Sequence, residues 1–191
     1  FLREQLSLDS NIILIGSLGR FNKAKDQYNF ISAAGIIAKK WPNVRFLMVG
    51  EGLTNDNTEL NSWAKDAGIE SKLILLGERY DVRGCLSSMD IFCLHSSREG
   101  FPNALAEAML IGLPCVSTNV GDVELLLKEI GVVVKVNDSI ALSNGLSKLL
   151  RLSLKERNML GKKLRNKICD EFSIAHTCKK YESIYIKLLV D

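Results

Sequence analysis

Cations and carboxylates gather in this sequence where apolar runs end in glycine. The first such place reads Gly16-Ser17-Leu18-Gly19-Arg20-Phe21-Asn22-Lys23-Ala24-Lys25-Asp26. Glycines there let the backbone turn tightly and approach a ligand closely. Arginine grips phosphate through two parallel N–H bonds and lysine acts as a point charge. Arg20 and Lys25 together could therefore hold a diphosphate without a metal; taken alone, the segment also reads as a solvated basic loop. Neither G-x-x-x-x-G-K-[ST] nor, at this place, G-x-G-x-x-G occurs, which excludes a P-loop and weakens a dinucleotide reading. Gly50-Glu51-Gly52 forms a second glycine turn after an apolar run, suited to a ligand or to a plain strand–helix connection.

Residues 95–109, H-S-S-R-E-G-F-P-N-A-L-A-E-A-M, carry the most information. Pro102 belongs in the first turn of a helix. Gly100, Phe101 and Asn103 are then expected to offer free backbone N–H groups at a positive helix end, an anion site. Glu99 lies just before that helix and Glu107 about one turn inside it, so both carboxylates can lean towards one ligand. Ionised carboxylates only accept hydrogen bonds, which suits sugar hydroxyls. Further on, Asp122 and Glu124 are expected to cap a helix, and Asp81 and Asp90 read as helix-cap or strand-start residues. His95, on a strand end, reads as a satisfied structural imidazole rather than a base. No Ser–His–Asp or Cys–His grouping is suggested, and Cys93-x-His95 supplies only two ligands, too few for a zinc site.

These loops need a frame. Apolar runs at 11–16, 44–49, 73–76, 91–94, 114–117 and 132–134 predict strands buried on both faces of a parallel sheet. Helical periods fall between them. Phe30, Ala33, Ala34, Ile37 and Trp41 define one, stopped by Pro42; 103–111 ends at Gly112; 141–150 carries Leu142, Leu146, Leu149 and Leu150. The fold class is α/β, a Rossmann-like doubly wound parallel sheet flanked by helices, with ligands at the carboxyl ends of the strands. Beyond it, 155–168 predicts a basic helix with Lys155, Arg157, Lys162, Lys163, Arg165 and Lys167. Its charged face reads as solvated, with an anionic membrane surface as the other reading. Ser173 opens a last helix striped by Ile174, Cys178, Tyr181, Tyr185 and Leu188, expected to be core packing, with docking on a neighbouring domain the alternative.

The whole sets bounds. The 191 residues suit a single domain, 1–191. Hydrophobic residues at 47%, charged residues at 25% and three prolines are globular proportions that exclude collagen, coiled coil and bulk disorder. A net charge of +3 does not by itself imply nucleic acid. No apolar run is long enough for a membrane span, and residues 1–6 are charged where a signal peptide needs an apolar core. Five cysteines, an odd number without C-x-x-C, read as reduced and mostly buried thiols of a cytoplasmic protein.

In this order the pieces resemble the C-terminal, donor-binding domain of retaining GT-B glycosyltransferases of glycosyltransferase family 4, the glycosyl transferases group 1. The resemblance rests on G-R-x4-K at Gly19, Arg20 and Lys25, V-G-E-G at Val49 to Gly52, L-G at Leu76-Gly77, and S-x2-E-G-F-P-N-x3-E-A at Ser96 to Ala108. G-x-P at Gly112 to Pro114, V-G at Val120-Gly121 and Phe172-Ser173 before a Tyr-rich helix add to it. The E-G-F-P-N-x3-E-A block is specific; the glycine turns are not. The resemblance implies two Rossmann-like domains with a cleft between them, of which this chain would be the donor half, following an N-terminal acceptor domain. It implies that Arg20 and Lys25 clamp the diphosphate, that Glu107 takes the ribose hydroxyls, and that Glu99 orients the transferred sugar. Catalytic weight falls on Glu99, Arg20 and Lys25. Gly19, Gly50, Arg79, Tyr80, Gly100, Phe101, Pro102 and Asn103 complete the donor site, with the loop 78–82 facing the base. Asp26, where many members carry Gly, and Asp122-Val123-Glu124, in place of a common Gly-Gly or Gly-Ala before the Glu, depart from the pattern; the second bears on one wall of the site.

The implied activity is retaining transfer from a nucleotide-sugar, UDP-sugar before GDP- or ADP-sugar, to a saccharide or lipid-linked saccharide in bacterial surface polysaccharide synthesis. The isolated domain is expected to be inactive. No cofactor or metal is called for, since D-x-D is absent and two cations face the diphosphate. Nucleic acid is not an expected partner, and the full-length protein is placed in the cytoplasm or peripherally at the inner membrane face. Front-face attack, with the donor phosphate taking the acceptor proton, is the implied route; double displacement through Glu99 is the other. A GT-B-fold nucleotide-sugar epimerase and a non-catalytic nucleotide-binding module are the alternative functions.

Overall fold

In the computed structural model, which describes residues 2–190, the six apolar runs form β1 (Ile13–Leu18), β2 (Val44–Val49), β3 (Leu73–Leu75), β4 (Ile91–Leu94), β5 (Cys115–Thr118) and β6 (Val132–Val134). They make one parallel sheet in the order β3-β2-β1-β4-β5-β6. Side chains alternate across it with the period of two that a strand imposes. Leu14, Leu47, Phe92 and Cys115 face one core, and Ile15, Phe46, Met48, Ile91 and Val116 the other. Burial on both faces explains why the runs are continuously apolar.

The helices are α1 (Leu2–Gln5), α2 (Gln27–Lys40), α3 (Thr58–Ala67), α4 (Val82–Ser87), α5 (Asn103–Ile111), α6 (Val123–Leu127), α7 (Ser139–Leu150), α8 (Leu154–Phe172) and α9 (Ile174–Val190). Helices α2, α3 and α7 cover one face, and α4, α5, α6 and α8 the other. Their ends carry local signals. Asn57 and Asp138 accept the N–H groups of Leu60 (3.1 Å) and Ala141 (2.8 Å), and Ser153 with Glu156 forms a reciprocal capping box. β1 continues through Gly16 to Leu18 rather than ending at the glycine. The Met89 side chain fills the place a Gly16 side chain would take, so glycine lets it pack against the strand.

The chain reverses its strand order between β1 and β4, so the loops after these strands splay apart and leave a crevice at their carboxyl ends. One expectation is overturned. The stripe on α9 is not core: Ile174, Tyr185 and Leu188 are 84%, 60% and 70% exposed, because among the described residues α9 packs mainly against α8. Cys169 and Cys178 are exposed with it, whereas Cys85, Cys93 and Cys115 are buried. No helix among the described residues is long and apolar enough to cross a membrane.

Candidate functional site

The crevice is a cleft of about 520 Å³. Its wall on the β1 side starts with Gly19, whose N–H donates to the Val49 carbonyl at 2.9 Å, continuing the β1–β2 ladder past the strands. A Cβ on Gly50 would overlap the Gly19 carbonyl; the glycine turn after β2 is what lets the two loops run side by side. The chain then makes a 3₁₀ turn at Lys23–Lys25, capped by Asn22, and Asp26 takes a left-handed conformation (φ 52°) before its side chain caps α2. That corner sends the Lys25 side chain across the cleft. Burial raises the Asp26 carboxyl above its ordinary pKa. Gln27 steadies the preceding segment by donating from Nε2 to the Arg20 carbonyl at 2.9 Å, while Arg20 itself is exposed on the cleft wall.

The opposite wall is the loop from β4 to α5. Glu99 Oε1 receives Lys25 Nζ at 2.6 Å and the Ser96 hydroxyl at 2.7 Å. The two loops are also sewn together through the backbone. Ser97 N–H donates to the Ala24 carbonyl at 2.8 Å, and His95 Nδ1 lies 2.5 Å from the Lys25 carbonyl. His95 is thus a satisfied buried imidazole, as its place on a strand end predicted. Glu107, on the first turns of α5, faces the same space, and partial burial raises its carboxyl pKa.

At the α5 N-terminus the outcome is mixed. Asn103 does not offer a free N–H, because that group donates to the Phe101 carbonyl at 3.0 Å, closing a tight turn around Pro102. The N–H groups of Gly100 and Phe101 have no partner among the described residues. Phe101, Pro102, Asn103 and Ala104 line the cleft. Gly100 stands behind the lining: its carbonyl accepts the Asp122 N–H at 3.2 Å, and a Cβ on Gly121 would overlap that carbonyl. Asp122 therefore sits at the start of α6 with its backbone engaged and no side-chain cap. Glu124 instead accepts from Asn119 Nδ2 at 2.8 Å.

On the third side, Arg79 lines the cleft while its guanidinium makes two 2.8 Å bonds to Asp81. The pair holds the Asp81 carboxyl below its ordinary pKa, and Asp81 makes no cap bond to α4. Asp90 is a strand-start residue, as expected, accepting the Leu14 N–H at 2.7 Å. Tyr80 is 93% exposed and lies off the lining. Of the expected donor-site residues, the fold brings together Gly19, Arg20, Lys25, Gly50, Arg79, Glu99, Phe101, Pro102, Asn103 and Glu107, leaving out Tyr80 and Gly100. Sequence reasoning missed the hold of Ser96 on Glu99; the three-residue spacing before the carboxylate was its only signal. It also missed Glu51, Glu78 and Val82 as individual lining residues. Beyond Val82 and Glu107 a second groove, of about 570 Å³, runs between α4, α5 and α8 past Leu86, Leu110, Arg83 and Arg165. That groove also brings Arg83 and Arg165 towards Glu107, but the first cleft is the one that joins Arg20 and Lys25 to both Glu99 and Glu107 at the carboxyl ends of the strands.

A family model described as Glycosyl transferases group 1 matches residues 1–167. An Escherichia coli UDP-Gal:alpha-D-GlcNAc-diphosphoundecaprenol alpha-1,3-galactosyltransferase is 31% identical over 190 residues, covering 97% of this chain and 48% of that protein. The chain spans about half the length of the curated relatives it matches. Anabaena HepE, solved with UDP and glucose, has the same fold (TM-score 0.84, 22% identity, 96% of this chain and 51% of that one). So does the C-terminal domain of a Francisella tularensis glycosyl transferase group 1 family protein, LpcC (TM-score 0.76, 26% identity, 90% and 93%).

Proposed function

The chain belongs to the glycosyl transferases group 1 family, and from that premise we propose that its cleft binds the nucleotide-sugar donor of a retaining bacterial glycosyltransferase. The observation that carries the reading is the meeting of Lys25 and Glu99 at 2.6 Å, in a cleft that Arg20 and Glu107 also line. Arg20 and Lys25 take the diphosphate, Glu107 the ribose hydroxyls, Glu99 the hydroxyls of the transferred sugar, and the loop of Arg79 the base. The N–H group of Phe101, which has no partner among the described residues, adds an anion-binding dipole on the cleft wall. Departure of a nucleoside diphosphate builds negative charge on its β-phosphate. Cations fixed where that charge appears favour the transition state over the ground state, and they serve where a metal otherwise would. Front-face attack, with a donor phosphate oxygen taking the acceptor proton, retains configuration.

A UDP-sugar is the donor we favour, supported by the UDP in HepE and the UDP-Gal in the name of the E. coli relative. That name also supports a saccharide on a lipid diphosphate as acceptor. The acceptor belongs on a companion domain supplied by a longer parent protein, at the cytoplasmic membrane face. Unpaired thiols fit a reducing, cytoplasmic setting.

Thermal melts with UDP, GDP, ADP and NAD test the reading. A ligand at about 100 times its Kd adds about 2.7 kcal/mol, which raises Tm by roughly 5–10 °C in a domain of this size. A UDP-selective rise that Arg20→Ala abolishes is the expected result. A rise with NAD alone, or one indifferent to Arg20→Ala, overturns it.

A further inference from the structure

We propose that His95 is a positioning residue for the donor clamp: its hydrogen bond to the Lys25 carbonyl sets where the Lys25 ammonium stands. The inference rests on the donor-site reading above. Lysine carries its charge on a flexible four-carbon stem, with about 2 kcal/mol of rotamer entropy to lose, so the ammonium is well placed only when its own backbone is held. Two carbonyls of the 3₁₀ turn, those of Ala24 and Lys25, are held by the loop after β4. Ser97 holds that of Ala24 through N–H (2.8 Å) and hydroxyl (3.2 Å), and His95 holds that of Lys25 (2.5 Å). The same loop carries Ser96 and Glu99, which meet the Lys25 side chain from the other end. Clamp and carboxylate thus share one frame, and His95 is the link whose bond falls on the clamp residue itself.

The chemistry of the bond is determined. A carbonyl only accepts, so Nδ1 carries the proton and donates. Burial lowers the His95 pKa to about 4, helped slightly by the Lys25 ammonium and against smaller raising effects of hydrogen bonds to the Lys25 and Asp26 backbone and of the Glu99 carboxylate. The ring is therefore neutral, and the donor persists across the working pH range. It also packs against Phe30 in a tilted arrangement, with ring centroids 4.9 Å apart. A wholly apolar ring would fill this 5%-exposed place without the cost of burying a polar group; the bond to Lys25 is what that polar group provides.

The experiment is UDP binding by calorimetry to wild type, His95→Phe, Lys25→Ala and the double variant. Phenylalanine keeps the ring and removes the donor. UDP affinity is expected to fall about tenfold for His95→Phe but less than about twofold when Lys25 is already alanine, because the two changes act through one ammonium. Unchanged affinity in His95→Phe, or an equal loss in both backgrounds, overturns the positioning role while leaving the donor site in place. No binding of UDP to wild type overturns the donor reading and this inference together. Should the variant not fold, nitrogen NMR of the wild-type imidazole serves. A proton on Nδ1 whose resonance moves when UDP binds is expected; a bare Nδ1, or a signal UDP leaves unmoved, is contrary.

Discussion

At the scale of single residues, His95 also dictates how the protein meets acid. Its folded pKa of about 4 lies below the ordinary histidine value, chiefly through burial. The unfolded chain then takes up a proton near pH 6.5 that the folded chain refuses until about pH 4. Its contribution to stability is therefore whole above pH 6.5 and is lost progressively as pH falls to 4, up to about 3 kcal/mol. Asp26 and Glu107, whose carboxyls burial raises, work oppositely, because the folded state protonates them first; they return some stability near the acid end. Urea midpoints are expected to fall between pH 7 and pH 5 in wild type and to change much less in His95→Phe. Parallel falls in both would assign the acid sensitivity to other groups. That Arg20, Lys25, Glu99 and Glu107 belong together was legible from their places after strand ends and within the family motif, and the fold does bring them to one cleft. The contact between Lys25 and Glu99 was not legible. It joins residues 74 apart through a left-handed Asp26, and no local pattern encodes that corner.

Among the elements, α5 and α8 meet backbone against backbone. Helix α5 ends at Gly112, and a Cβ on Gly161 of α8 would overlap the Gly112 carbonyl. Alanine is the better helix former by about 1 kcal/mol, so propensity alone makes Gly161→Ala stabilising. Here the obstacle is backbone on a second helix rather than a side chain that can swing away. Forcing a packed pair apart costs about 1–3 kcal/mol or more, so a net loss of roughly 1–2 kcal/mol in urea denaturation is expected. A gain would show that α8 slides freely on α5. The strands and the longer helices were readable because each repeats its period several times. The short helices α1, α4 and α6 span too few turns for a period to emerge, and α3 buries only Leu60 and Ala64. Gly161 sat unnoticed in a stretch legible only as basic, since its meaning lies in a neighbour met across the fold.

For the molecule as a whole, α9 is the exception to the two buried layers. A stripe at helical spacing states that an apolar face exists and says nothing of what covers it, which is why its expected burial failed. Among the described residues α8 is its main support, and a helix of 17 residues is marginal in water without packing. Its amides are therefore expected to exchange at least about 100-fold faster than those around Leu164, which is fully buried on α8. Melting should follow the same division. Leu164→Ala removes core packing worth about 2–5 kcal/mol, whereas Tyr185→Ser or Leu188→Ser lies within about 0.5 kcal/mol of wild type, as exposed substitutions do. Equal protection of α8 and α9, or a large loss from Leu188→Ser, would mean that α9 has a partner in solution already, a second copy of the chain being the one at hand; a sedimentation measurement would then find a dimer. If instead the predicted contrast holds, the stripe is a face that this chain leaves uncovered. In a longer parent carrying the companion domain we propose, the same Leu188→Ser change should then become costly, and that shift in cost between the two proteins measures what the domain contributes to α9.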